Sequence, residues 1–214
     1  MNKLREYIFF VALVFMAFNN IVFAQETKAT LFFHDGDSIE GLAKITKNAV
    51  KFKVSSDGKA DMWDFYSISG LELSDGAYNI HYDYVEVQKS KEPKLLELVE
   101  SGDAFLYTKT KTRGRAKGLG NVVKSDGTVT INTDELSKIN FKGEEVYEYY
   151  LIKKDDLEAV CVNCGILGMS DSWLRKTANF FSDCEVLQTK INDNEFSLEE
   201  MIDIVQFYND FCKE

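Results

Sequence analysis

The chain has 214 residues, a formal charge of −10, 45% apolar residues and a single proline. An acidic balance of this size argues against general nucleic-acid binding and favours solubility. The length allows one domain, or one domain with a small appendage, and the apolar share is enough for a packed core.

The first element in chain order is a leader. Lys3 and Arg5 precede the apolar run YIFFVALVFMAF, and IVFAQ follows, with Val22 and Ala24 placed as the small residues before a cut. This is the layout of a secretory signal peptide, residues 1–24, cleaved after Ala24. The run falls short of the ~20 apolar residues that a membrane span needs. An uncleaved anchor is the alternative. No cysteine follows the cut, which argues against a lipid anchor, and no later segment is apolar enough to cross a bilayer. The remaining chain is expected to be secreted or periplasmic, with a net charge near −11 once Lys3, Arg5 and Glu6 are removed.

Residues 25–167 read as strand after strand. TLFF, SIEGLAKI, AVKFKV and ADMWDFYSI are separated by HDGD and SSDGK. Asp-Gly recurs at Asp35-Gly36, Asp57-Gly58, Asp75-Gly76 and Asp126-Gly127. Between β-prone runs it signals a hairpin, because glycine takes positive φ cheaply. In AYNIHYDYVEV the residues Tyr78, Ile80, Tyr82 and Tyr84 share a face, and the switch to Val85 and Val87 predicts a bulge or bend near Tyr84. KLLELVESGDAFLYTKT predicts a hairpin around Ser101-Gly102-Asp103, and NVVKSDGTVTIN predicts another. VYEYYLI and LEAVCV close the region. Roughly ten or more short strands point to a mainly β fold, an antiparallel sandwich or barrel built from hairpins.

Residues 168–214 change period and predict a small helical appendage, α+β overall. SDSWLRKTANFFSDC opens with a Ser/Asp cap and sets Trp173, Thr177 and Phe180 near one face. A short helix is expected over 185–191. Ser197 and Glu200 form a capping box ahead of Leu198, Met201, Ile202, Val205, Tyr208 and Phe211 at helical spacing. That apolar stripe needs burial, most simply against the β region.

The tail ANFFSDCEVL…EEMIDIVQFYNDFC and the stretch LFFHDGDSIEGLAKI together resemble a type of secreted β-rich protein of Gram-negative bacteria with a cysteine-containing helical tail. Neither stretch is catalytic, and the resemblance implies no activity.

Four cysteines in an exported chain suggest disulfides, with three possible pairings. If the last two helices form an antiparallel hairpin, Cys184 and Cys212 meet. Their bridge closes a loop of roughly thirty residues, worth about 3–4 kcal/mol. Cys161 and Cys164 then form a Cys-x-x-Cys motif with three readings: a local disulfide, a redox centre, or half of a metal site. A thioredoxin-like centre needs its first cysteine at a helix N-terminus, where the dipole lowers the thiol pKa, and Gly165 and Gly168 follow the motif instead. The only proline, Pro93, lies far upstream, so the thioredoxin fold is rejected. A zinc site would need Cys184 and Cys212 as well. The local disulfide is favoured, and no metal or cofactor is expected.

TKTKTRGRAKGLG carries Lys109, Lys111, Arg113, Arg115 and Lys117 at alternate positions. In an extended strand all five point one way, a candidate anion-binding stripe for a glycan or lipid head group. The competing reading is a solvated hairpin or a charged edge strand. Tyr78, Tyr82 and Tyr84, and Tyr147, Tyr149 and Tyr150, are aromatic clusters that more often pack a sheet face than bind sugars. HDGDSIEG and NDNEFSLEE look faintly like calcium loops, but they read better as a turn and a helix cap. His34 and His81 lack a triad context, and no Gly-x-Ser-x-Gly or phosphate-cradling loop is present, so no catalytic residue is assigned. The expectation is a non-enzymatic binding or interaction module of the cell envelope, with an unknown protein, glycan or lipid partner and no nucleic acid. The alternatives are a thiol–disulfide protein using Cys161 and Cys164, and an anionic glycan or lipid binder using the basic stripe.

Overall fold

The structure is a computed structural model that describes residues 26–74, 76, 78–117, 140–164 and 171–212, with the backbone alone at 112–117, 140–145 and 171. The leader and its cut after Ala24, the Asp126-Gly127 hairpin, and the boundary near residue 167 lie outside the described residues.

Ten strands among the described residues form one antiparallel sheet. They are β1 (Thr27–Phe33), β2 (Ser38–Thr46), β3 (Ala49–Lys53), β4 (Asp61–Trp63), β5 (Ile68–Ser74), β6 (Asn79–Val85), β7 (Lys94–Glu100), β8 (Ala104–Lys117), β9 (Asn140–Lys153) and β10 (Val160–Cys161). The order across the sheet is β10-β9-β8-β7-β6-β5-β1-β2-β3-β4. Consecutive hairpins account for every neighbour except β1 and β5, which pair across the excursion through β2–β4. Asp-Gly turns stand where the sequence predicts them: Gly36 and Gly76 take φ of 93° and 89°, joining β1 to β2 and β5 to β6.

Period-two burial explains why these runs are strands. In β3, Val50 and Phe52 are buried while Lys51 between them is exposed. Val50 and Phe52 join Leu31, Ala43, Ile68, Leu71 and Leu95 in one core. Gly41 on β2 is required there, because a Cβ would run into the Phe52 ring and the Lys53 carbonyl.

The sheet curls so that this core is wrapped. Asn48, in the turn between β2 and β3, reaches β7, four places from β2 in the sheet. Its Oδ1 accepts from Leu95 N–H (2.9 Å), its Nδ2 donates to Pro93 O (2.9 Å), and its carbonyl accepts from Tyr84 OH (3.0 Å). The Phe65–Tyr84 ring contact, at 6.2 Å between centroids, brings the β4–β5 connection over β6 in the same way.

The bulge expected near Tyr84 is not there. β6 pairs with β5 and β7 without a register shift, and Val85 differs in face from Tyr84 by ordinary alternation. The register shifts fall instead at Phe32/Phe33 and at Leu98/Glu100.

The tail folds as α1 (Asp171–Phe180), α2 (Glu185–Asn192) and α3 (Met201–Phe211). Ser197 and Glu200 make the capping box, ahead of one 3-10 turn that leads into α3. Phe181, Leu187, Ile191, Met201, Ile204, Val205 and Tyr208 pack onto Ala104, Leu106 and Leu151, the inner face of β8 and β9. Asn209 fixes α3 to the start of β8. Its Oδ1 accepts from Ala104 N–H (2.8 Å), and its Nδ2 donates to Ala104 O (3.0 Å). Gly102 makes room for it, since a Cβ there would sit 2.5 Å from the Asn209 amide.

Candidate functional site

Cys161 ends β10, and the chain then turns through Val162 and Asn163 to Cys164. Cys161 and Cys164 are joined by a disulfide, with Cα atoms 5.5 Å apart. Both pack against a small cluster of Val85, Val87, Leu96, Tyr107, Tyr150 and Ala159 on the outer sheet face. The turn presents Asn163 to the edge of β9. Its Oδ1 accepts from Tyr149 N–H and its Nδ2 donates to Tyr147 O, both at 2.8 Å. A side-chain amide thus continues the ladder that β10 begins at Leu151 and Tyr150. The described part of α1 begins at Asp171. The lysine nearest in hydrogen bonding, Lys176, donates to the Cys161 carbonyl (3.0 Å). The disulfide thus lies within a turn that covers the edge of β9.

The second disulfide joins Cys184, before α2, to Cys212, after α3, with Cα atoms 5.6 Å apart. It closes the antiparallel helix pair by joining the start of α2 to the end of α3. Two disulfides fit an oxidising compartment. No helix among the described residues is long and apolar enough to cross a membrane. Among them, no three His, Cys, Asp or Glu side chains gather as metal ligands.

The basic stripe runs along β8, and the register of β9 sets acids beside it. Lys109 faces Glu148, Arg113 faces Glu144, and Arg115 faces Lys142. Lys109 and Lys111 share a face with Tyr107 and with Tyr150 and Glu148 opposite. The side chains of Arg113, Arg115 and Lys117 lie outside the described residues, so only the first two members of the stripe can be placed.

Around those two, the outer face of β6–β9 carries a polar network that the sequence pattern does not reveal. Glu148 is buried, and both its oxygens are taken: Lys111 Nζ donates to Oε1 (2.5 Å) and Tyr150 OH to Oε2 (2.7 Å). Lys94 Nζ, from β7, donates to the Tyr150 hydroxyl (3.4 Å) and lies 5.1 Å from the centre of its ring. One strand further on, Tyr107 OH donates to Asp83 Oδ2 (2.9 Å), whose other oxygen meets His81 Nε2 (3.0 Å). Burial first, and then the neighbouring carboxylates, hold the Tyr150 and Tyr107 phenols well above the ordinary tyrosine range. Lys109 is half-buried. Burial, and then the charge of Lys94, depress its ammonium below the usual lysine value, with Glu148 opposing and Lys111 adding to the effect.

The tyrosine clusters divide between faces. Tyr82 and Tyr84 line the wrapped core, and their phenols are pushed up to about 12, chiefly by burial. Tyr78 and Tyr147 are exposed, and Tyr149 packs beneath the tail. His34 bonds Phe65 O (2.9 Å) across the β4–β5 connection. Lys94, Glu148, Asp83 and Asn163 went unmarked in the sequence. Only the register of β6–β9 brings them beside the marked residues. The one local clue is the alternation Glu148-x-Tyr150 opposite Lys109.

No family model, curated protein or solved structure matches this chain.

Proposed function

We propose that the chain is an exported, non-enzymatic binding module of the periplasm or cell surface, with its leader cleaved after Ala24, that engages its partner through the β8–β9 ribbon. The observation that carries this reading is the length of that ribbon. β7 leaves β8 at Thr108, and β10 covers β9 only at Leu151 and Tyr150. Asn163 extends that cover to Tyr147, and from Lys111↔Val146 to Lys117↔Asn140 the two strands pair only with each other among the described residues. At ~3.3 Å per residue the projection is about 23 Å. A two-stranded ribbon is marginal in water by itself, and neither the wrapped core nor the tail core needs this one to close. Contact with a partner would explain its retention. The two disulfides support an oxidising destination.

The test joins location to contact. Cell fractionation with N-terminal sequencing is expected to recover a chain beginning at Gln25 outside the cytoplasm. A photoreactive residue at the exposed Thr110 is expected to give a discrete adduct in intact cells. Replacing residues 112–145 by an Asn-Gly turn should abolish that adduct while leaving the unfolding midpoint of the body nearly unchanged. An unaltered adduct, or a cytoplasmic chain that retains its leader, would overturn the reading.

A further inference from the structure

We propose that Lys94, Lys109 and Lys111 form a subsite for a tetrahedral oxyanion, a phosphate or sulfate group, on the outer face of β7–β9. The inference rests on the binding-module reading and gives it a ligand chemistry.

The starting point is a charge imbalance. Lys94 on β7 and Lys109 and Lys111 on β8 bring three ammonium groups to one face, and the carboxylate facing them from β9 is Glu148. Both Glu148 oxygens are already used, one by Lys111 and one by the Tyr150 hydroxyl. Lys109 stands directly opposite Glu148 in register, yet it is Lys111 that bonds Glu148 Oε1. The next carboxylate, Asp83 on β6, is one strand beyond β7 and is engaged by Tyr107 and His81. Among the described side chains this face therefore sets three ammonium groups against the two carboxylates of Glu148 and Asp83, a surplus of one positive charge in a chain of charge −10, and Lys109 is half-buried.

A partly desolvated ammonium flanked by two others is unfavourable until an anion joins it. An oxyanion seated among the three would take donors from Lys94, Lys109 and Lys111, with the Tyr150 hydroxyl and ring as a wall. The donors are point charges arriving from two strands. That arrangement suits a tetrahedral group better than a planar carboxylate, which favours the guanidinium fork. Burial and the charge of Lys94 depress the Lys109 ammonium, and an anion seated beside it would oppose both.

Lysine side-chain NMR of the full chain tests this directly, with inorganic phosphate and then sulfate as probes. Saturable shifts at Lys109 and Lys94 are expected, together with a rise in the Lys109 titration midpoint as the anion binds. Lys44 on β2 and Lys51 on β3 serve as distant controls. Equal, unsaturable shifts at all four lysines mean general screening and overturn the site. Lys109→Ala is expected to weaken phosphate binding by about tenfold, in line with one charge-assisted hydrogen bond, whereas Lys109→Arg retains it. Glu148→Gln removes the resident negative charge and should tighten binding, so unchanged affinity in that variant overturns the shared-anion geometry. Vesicles with and without phosphatidylglycerol distinguish a lipid head group from a free phosphate. A chain that keeps its ribbon adduct but ignores both anions would lose this subsite and keep the module.

Discussion

The two halves of the sheet solve the same problem by different means. The half built from β1–β6 wraps a core that Leu95 of β7 completes, and Asn48 locks the wrap by bonding Leu95 N–H and the Pro93 carbonyl just before β7. The half built from β7–β10 stays open and borrows a lid, and Asn209 of that lid bonds both backbone groups of Ala104. An asparagine amide stands in for a missing strand in each case, and Asn163 does so a third time at β9. The difference is covalent. Both disulfides lie in the half that borrows its cover. A curled sheet is held by many residues at once, but three short helices make few contacts each and would fray without a tether.

The largest break in that comparison should come from the longer tether. Replacing Cys184 and Cys212 by serine frees a loop with a sequence separation of 28. The chain-entropy model puts the loss at about 3–4 kcal/mol. Denaturant unfolding should register that loss, and amide exchange should place it in α2 and α3 while β1–β6 stays protected. Uniform loss of protection would mean that the halves fold as one unit.

Asn48→Ala probes the opposite half and should cost up to about 3 kcal/mol, because the buried Leu95 N–H and the Pro93 carbonyl lose their partner together. Fluorescence of Trp63, which touches Phe33 at 5.6 Å between ring centroids, should report this loosening. If the tail loosens as much as the wrapped core, the two halves are more tightly coupled than their separate clusters suggest.

Third in size is the shorter bridge. Replacing Cys161 and Cys164 by serine opens a sequence separation of only 3, and the same model gives about 2 kcal/mol. Alkylation after graded reduction distinguishes a staple from an exchanger. The bridge is expected to resist reduction in glutathione buffer as fully as Cys184–Cys212. Opening first, at an oxidoreductase-like potential, would revive the thiol–disulfide alternative.

Much of this was legible because it is local chemistry. Asp-Gly turns, period-two strands and the Ser197–Glu200 capping box depend on residues within a few positions of each other. The approach of Cys184 to Cys212 needed one further step, the antiparallel packing of α2 and α3, which their apolar stripes supply. What the sequence hid depends on register and curl. Nothing near Asn48 announces Leu95, and nothing near Lys109 announces Lys94. The expected bulge at Tyr84 failed for a related reason: a change of buried face is also what plain alternation gives when both faces of a strand are covered, as at Val85. The anion stripe was seen as five like charges on one strand, while its meaning lies in the neighbouring strands that neutralise it or add to it.

The smallest effect concerns the ion pair that seats the tail. Lys153 of β9 bonds Asp183 Oδ1 at 2.7 Å, and the buried Tyr208 of α3 donates its hydroxyl to Oδ2 at 2.6 Å. Burial alone would raise the Asp183 carboxyl, but the hydrogen bonds from Lys153 and Tyr208, with the Lys153 charge, outweigh it and bring it to about 2 from an ordinary 3.8. A carboxyl depressed on folding adds stability that is complete above its unfolded value near 3.8, and is lost as pH falls through about 2. The side chain is 38% exposed, so solvent screening holds the contribution below about 1 kcal/mol. Unfolding of the chain and of Asp183→Asn, followed from neutral pH into acid, should therefore differ above pH ~4 and converge towards pH ~2. Curves that stay parallel would show that Asp183 acts only as a neutral acceptor for Tyr208. If they converge, amide exchange should place the acid loss in α3, where the tail meets β9, and leave the wrapped half untouched.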